Sequence, residues 1–335
     1  MKRIMYVALA GLFAVSAGSA SAAIITDGNV SLGVNDLGSL NVGGGVEDVT
    51  GETRVGLRYI PPGGTDQFES TSHGCECEGW GVGVGETGVS GYANVSVGTA
   101  GLTLDSFSST ATTATSVVTV SALSTLKVTH NFALASETDN LFRVGVTIEN
   151  SGIDITDLLY RRTFDWDTSP TPFNEFVTIG GTAAATDVAG AGSDGFCSSN
   201  PFSSCSVTGD VEALGPTDHG ANFDFNFGEL ASGESLSFDI FYGGADNKTD
   251  AFAALGEVGA EVYSLGWSGT DTDQNGFGDT SGAVTPTFIF GFSGVGGEAV
   301  PDPTPDPDPS KVPEPSSLVL LGLGLLGLRA ARRRG

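Results

Sequence analysis

The chain is 335 residues long, with 50 Gly, 20 Phe and only 2 Met, and its 40 acidic residues against 14 basic ones give a formal net charge of −26. Between residues 23 and 311 the balance is 8 basic to 39 acidic, a net of −31, which excludes nucleic acid as a natural partner because phosphate binding needs a basic footprint. The same excess favours divalent cations and cationic surfaces, while the supply of aromatic and β-branched residues is ample for a buried core.

At the N-terminus, Lys2 and Arg3 precede an apolar run and small residues ending in Ala20-Ser21-Ala22. This is the layout of a secretory signal peptide cut after Ala22 or close by. Strand signals follow as period-2 alternation. Residues 54–60, 92–97, 116–120 and 125–132 are predicted strands. Phe142, Val144, Val146 and Ile148 then alternate with Arg143, Gly145, Thr147 and Glu149, and a further strand is predicted over 158–166. Phe223, Phe225 and Phe227 alternate with Asp224 and Asn226. Leu236, Phe238, Ile240 and Tyr242 alternate with Ser237, Asp239 and one apolar exception, Phe241, and residues 286–292 close the series. Short strands separated by Gly, Asn and Asp turns predict an all-β protein, a β-sandwich of Greek-key or jelly-roll-like type. One short helix is expected over 251–265, capped by Thr249 or Asp250, with Phe252, Leu255, Val258 and Val262 as its apolar stripe; Gly256 and Gly259 weaken it. The acidic β-rich domain is thus assigned to 23–300.

Four cysteines in an exported chain imply oxidation. Cys197 and Cys205 enclose a short loop, which leaves Cys75 and Cys77 to bond each other, although cross-pairing is also compatible with the sequence. His73, Cys75 and Cys77 would suit zinc or copper with a fourth ligand such as His219, but their spacing is unlike that of common zinc sites. Asp165-Trp166-Asp167 ends a predicted strand with both carboxylates on one face. Such a pair serves glycoside hydrolysis in some enzymes, yet Arg161 on the same face would depress both carboxyls, which is wrong for a general acid. An exposed Trp166 would instead make Asp165, Trp166 and Asp167 a glycan-binding face. In the segment 271–279, Asp271, Asp273, Asn275 and Asp279 place side-chain oxygens at positions 1, 3, 5 and 9, with Gly276 at 6 and the Phe277 carbonyl at 7. The spacing resembles the first three quarters of an EF-hand-like calcium loop. Gly282 stands where the bidentate carboxylate of that loop would be, a departure that shortened loops of dockerin or thrombospondin-repeat type tolerate. Calcium is the one cofactor the sequence suggests.

Beyond residue 300, a Pro- and Asp-rich stretch (301–311) forms an extended, charged spacer. Val312, Pro313, Glu314 and Pro315 come next, followed by eleven apolar or glycine residues (LVLLGLGLLGL, 318–328) and a cluster containing Arg329, Arg332, Arg333 and Arg334. A helix of eleven residues reaches roughly 17 Å, short of a ~30 Å hydrocarbon core, so the short hydrophobic helix expected here suits a temporary anchor with its arginines on the cytoplasmic side. Residues 312–335 closely resemble the PEP-CTERM sorting signal of Gram-negative bacteria. The resemblance implies recognition of Pro-Glu-Pro by an exosortase-type membrane protease or transpeptidase, transient residence in the inner membrane, and removal of the tail on the way to the cell surface or extracellular matrix. The body resembles uncharacterised members of that class in its Asp-Trp-Asp and Cys-x-Cys-Glu-Gly-Trp stretches, a likeness that carries no activity.

The expected function is therefore that of an exported, non-enzymatic protein with a structural or adhesive β-sandwich body at the cell surface or in a biofilm matrix. The competing readings are a calcium-dependent carbohydrate-binding module acting on exopolysaccharide and a glycoside hydrolase using the paired aspartates.

Overall fold

The computed structural model describes residues 21–280 and 282–301. The signal segment, almost all of the Pro/Asp spacer, the sorting motif from Val312 to Arg334 and the hydrophobic tail helix lie outside the described residues, as does residue 281. Within them the chain forms eighteen strands and one helix. In order these are β1 (Ala22–Asp27), β2 (Val30–Asn35), β3 (Leu57–Tyr59), β4 (Phe68–Glu69), β5 (Gly79–Val84), β6 (Val89–Asn94), β7 (Leu102–Ser109), β8 (Ala114–Val120), β9 (Leu123–Leu134), β10 (Leu141–Asn150), β11 (Ile155–Trp166), β12 (Glu175–Gly180), β13 (Val188–Gly192), β14 (Val211–Thr217), β15 (His219–Leu230), β16 (Ser235–Ala245), α1 (Lys248–Glu257), β17 (Val262–Ser268) and β18 (Thr287–Ser293).

The all-β sandwich expected from the alternation is what the structure shows. A nine-stranded sheet runs β14-β12-β17-β18-β16-β10-β9-β8-β7, and a five-stranded sheet runs β13-β15-β11-β5-β6; the strands pair antiparallel. Their facing sides interleave aromatic rings. Phe164 of β11 meets Phe290 of β18 at 4.0 Å between centroids, Tyr160 meets Phe238 at 5.0 Å and Phe225 meets Phe292 at 4.9 Å. Offset and edge-on ring pairs of this kind add to the area they bury. A smaller sheet, β1-β2-β3-β4, packs beside them, with Tyr59 against the backbone of Gly244 on β16 and its hydroxyl donating to Asp246 at 3.1 Å.

The alternating strands behave as their period predicts. Phe142, Val144, Val146 and Ile148 are buried while Arg143, Gly145, Thr147 and Glu149 are not. Phe241, the apolar exception on β16, faces the opposite side of the nine-stranded sheet, where α1 covers it together with Leu141, Leu265, Trp267 and Ile289. The helix is shorter than predicted and starts earlier. Asn247 is its N-cap, accepting from the Asp250 amide at 3.1 Å, and the turn at Gly259, with φ of 64°, stops it. Gly259 thus ends the helix, Gly256 lies within its last turn, and Val262, taken as part of its stripe, opens a strand.

Strand β5 lacks any alternation because both of its faces are covered. Side chains at Gly79, Gly81 and Gly83 have no room: a Cβ on Gly81 would lie 2.1 Å from the Ser199 carbonyl oxygen, and one on Gly83 2.9 Å from Pro201. The segment carrying the Cys197–Cys205 disulfide lies on this glycine face; Cys75 is bonded to Cys77. Two outer edges of the nine-stranded sheet are blunted. Strand β7 is largely exposed, carries Asp105 and shifts register between Leu104 and Ser106, while β14 carries Glu212 and Pro216.

Candidate functional site

One end of the sandwich gathers carboxylates from elements far apart in the chain. There the end of β11 pairs with the start of β15 (Trp166 with His219), and the start of β12 lies between the ends of β14 and β17, with Glu175 opposite both Thr217 and Ser268. Along β11, Arg162, Phe164 and Trp166 point to the core and Arg161, Thr163 and Asp165 to the other face, with Asp167 continuing that face. That face is not open. Thr163 contacts Ser199 hydroxyl to hydroxyl at 3.1 Å, and Arg161 donates to the carbonyls of Ser198 at 2.9 Å and Asn200 at 3.0 Å. Gly195 presses so close that a Cβ there would lie 2.6 Å from Asp165 Oδ1.

Two expectations are corrected by this packing. Trp166 is fully buried, its indole N–H donating to Ser264 Oγ at 3.0 Å and its ring set edge-on to Phe164 at 4.7 Å, so it offers no surface on which a sugar could stack. Arg161 does not neutralise Asp165. Its guanidinium forks onto Asp224 at 2.5 and 2.9 Å through Nε and Nη2 and gives Nη1 to the Ser198 and Asn200 carbonyls, so none of these bonds goes to its neighbour on the strand.

Asp165 and Asp167 are 1% and 0% exposed, and none of their four carboxylate oxygens has a hydrogen-bond partner in the protein. Burial holds both carboxyls well above the usual carboxylate range, and neighbouring negative charge adds to it: Asp218 and Asp194 for Asp165, Asp165 and Glu175 for Asp167. Glu175 is also 0% exposed. Its Oε1 accepts the His219 amide at 2.7 Å, its Oε2 has no partner, and burial, reinforced by Asp218 and Asp165 against the opposing His219 bond, pushes it up to about 9. Asp218 is exposed. One oxygen each from Asp165, Asp167 and Asp218 lies within 4.8 Å of the others. Glu175 and Asp218 carry no signal in the sequence, because strand pairing over long separations brings them to the aspartates.

The backbone beneath this cluster is anchored by a second charged network. Asp167 donates its amide to the Ser70 carbonyl at 2.7 Å and accepts at its own carbonyl from His73 Nδ1 at 2.8 Å. His73 Nε2 reaches Thr50 Oγ1 at 2.8 Å and Asp48 at 3.5 Å. Burial works against a charged His73, but the Asp48 bond and the field of Glu69 outweigh it and raise the imidazole. With both ring nitrogens engaged and both cysteines oxidised, His73, Cys75 and Cys77 are not arranged as a zinc or copper site.

The loop predicted to hold calcium sits at the same end, entered from β17 through an Asp271 amide bonded to the Ser268 carbonyl at 3.1 Å. Asp271 is buried and accepts from the amides of Asn275 and Gly276, both at 3.1 Å. Asn275 donates to Asp273 at 2.9 Å and accepts from the Phe277 amide at 2.8 Å. Asp279 accepts from Thr272. The loop thus turns sharply as its spacing requires, and it brings carboxylate oxygens of Asp271, Asp273 and Asp279 within 4.8 Å of one another. The Phe277 ring is 53% exposed.

Among known proteins, the family model of the PEP-CTERM protein-sorting motif matches residues 311–334. That match implies an exported protein handled at the membrane by an exosortase. No curated protein matches the chain. Among solved structures, a galactose mutarotase related enzyme from Lactobacillus acidophilus is similar over 82% of this chain and 86% of its own, at 9% identity and a TM-score of 0.28. So slight a likeness carries nothing about activity. Among the described residues no helix is long and apolar enough to cross a membrane.

Proposed function

We propose that this chain, ending in a PEP-CTERM sorting motif, delivers a structural or adhesive β-sandwich to the cell surface or extracellular polymer, where calcium bound by the 271–279 loop stiffens it. The observation that carries the reading is the motif match over residues 311–334. Two disulfides fit an oxidising exterior, and a body with 39 acidic residues against 8 basic ones between residues 23 and 311 suits a cation-containing medium. The burial of Asp165 and Asp167 supports a non-enzymatic role, since a glycoside hydrolase must bring both carboxyls to the sugar.

Replacing Pro313, Glu314 and Pro315 by Ala in the native host, with fractionation and intact-mass analysis, tests this. The natural chain is expected outside the cell with the tail missing, and the variant in the membrane fraction with its tail attached. Identical location and untrimmed mass for both would overturn the reading. Calcium-dependent retention of the purified protein on the host's own exopolysaccharide would add glycan recognition to the structural role.

A further inference from the structure

We propose that Asp165, Asp167 and Asp218, with Glu175 at the same end of the sandwich, form a binding site for a hard divalent cation of calcium size, separate from the 271–279 loop. Calcium takes oxygen ligands at about 2.3 to 2.6 Å, so oxygens on opposite sides of the ion stand roughly 4.6 to 5.2 Å apart. One carboxylate oxygen each from Asp165, Asp167 and Asp218, the three within 4.8 Å of one another, can therefore reach a common ion without rearrangement of the strands. The donor set holds no sulfur and no imidazole, which favours calcium over zinc or copper.

The unpartnered oxygens supply the second, independent argument. A buried carboxylate ordinarily keeps its partners, because losing water without replacement is costly. Other deep acids in this protein obey the rule. Glu78 meets Arg162, the Tyr242 hydroxyl and the Leu40 amide; Glu69 meets Arg58 and the amides of Gly56 and Thr71; Asp48 meets Ser169, Thr50 and the Glu52 amide. Asp165 and Asp167 have none, and Oε2 of the wholly buried Glu175 has none either. The basic side chains nearby are committed elsewhere: Arg161 to Asp224, Arg162 to Glu78, and His73 to Asp48 and to the Asp167 carbonyl rather than its carboxylate, while His219 contacts the Thr217 hydroxyl through Nε2 at 2.9 Å and burial lowers its pKa, disfavouring its charged form. A cation is the partner this arrangement lacks. Asp218, the exposed member, gives it a way in from solvent.

The test is calcium binding by the full chain, read by calorimetric stoichiometry and by thermal unfolding with calcium or with chelator. A loop variant carrying Asp271→Asn and Asp273→Asn is expected to keep one calcium and, at calcium 100-fold above its Kd, a Tm rise of roughly 4 to 6 °C. Asp167→Asn in that background is expected to abolish both, while its Tm in chelator stays equal to that of the loop variant or higher, because an unpaired buried carboxyl has been removed. Asp218→Asn, at an exposed position where folding is not at stake, is expected to weaken binding at least tenfold. A loop variant that binds no calcium, or an Asp167→Asn variant that binds as before, would overturn the proposal. Export and trimming are untouched by any of these outcomes, so the failure of this site and the failure of the sorting-based reading are distinguishable.

Discussion

Glu78 and Asp167 are both fully buried acids with opposite surroundings. Glu78, just before β5, is held by Arg162 of β11 in the same sheet, and Tyr242 of the nine-stranded sheet ties the pair across the core, its hydroxyl donating to Glu78 at 2.8 Å and its ring lying 5.4 Å from the Arg162 guanidinium. Removing one member of such a pair leaves a naked charge in the core and typically costs about 3 to 5 kcal/mol, whereas replacing both by apolar groups costs far less. Glu78→Gln is therefore expected to lower unfolding free energy by about 3 to 5 kcal/mol in denaturant titration, and adding Arg162→Met is expected to recover part of it; a Glu78→Gln loss under 1 kcal/mol would contradict the role given to the pair. At this scale the sequence was legible in part. Strand parity placed Asp165 and Asp167 on one face, and the spacing of 271–279 foretold a converging loop. The burial of Trp166 was not legible, because its ring lies on the core face of β11 against Ser264 and Gly266 of β17 and Phe288 of β18, none of which lies nearby in the chain.

Among the elements, β10, β15 and β16 were readable because one side of each faces the core and the other is polar. Strands β5 and β17 were not, for a physical reason: with both faces covered they show no period of two, and glycines in β5 make room for backbone rather than side chains. The Phe241 anomaly was a true signal whose meaning needed the helix that covers it. Phe241 is fully buried beneath α1 and also takes the Arg143 guanidinium 5.4 Å from its ring centroid. Phe241→Ala is expected to cost about 3 to 5 kcal/mol and to speed amide exchange in α1 before the rest of the nine-stranded sheet. Equal exchange in α1 and β10 would show that the helix does not depend on this contact.

For the whole molecule, the acid-rich end governs the response to pH. Glu175 rises from an ordinary 4.5 to about 9 on folding, and Asp165 and Asp167 move in the same direction. Acids raised in this way hold a proton in the folded chain that the unfolded chain gives up, so their stabilising contribution is complete below about pH 4.5 and is lost as pH climbs through about 9. Chelator-treated protein is accordingly expected to show a Tm that falls between pH 5 and pH 9, checked by scanning calorimetry; a Tm that climbs across that interval would contradict the assignment.

The blunted borders of the large sheet bear on how many copies can share a small space. With a register-shifted, acid-bearing strand at one border and a proline at the other, the free amides and carbonyls form interrupted rows that neighbouring molecules extend poorly. Crowded copies of this protein would then resist fibril growth, and cohesion between them would have to pass through side chains or bridging ions.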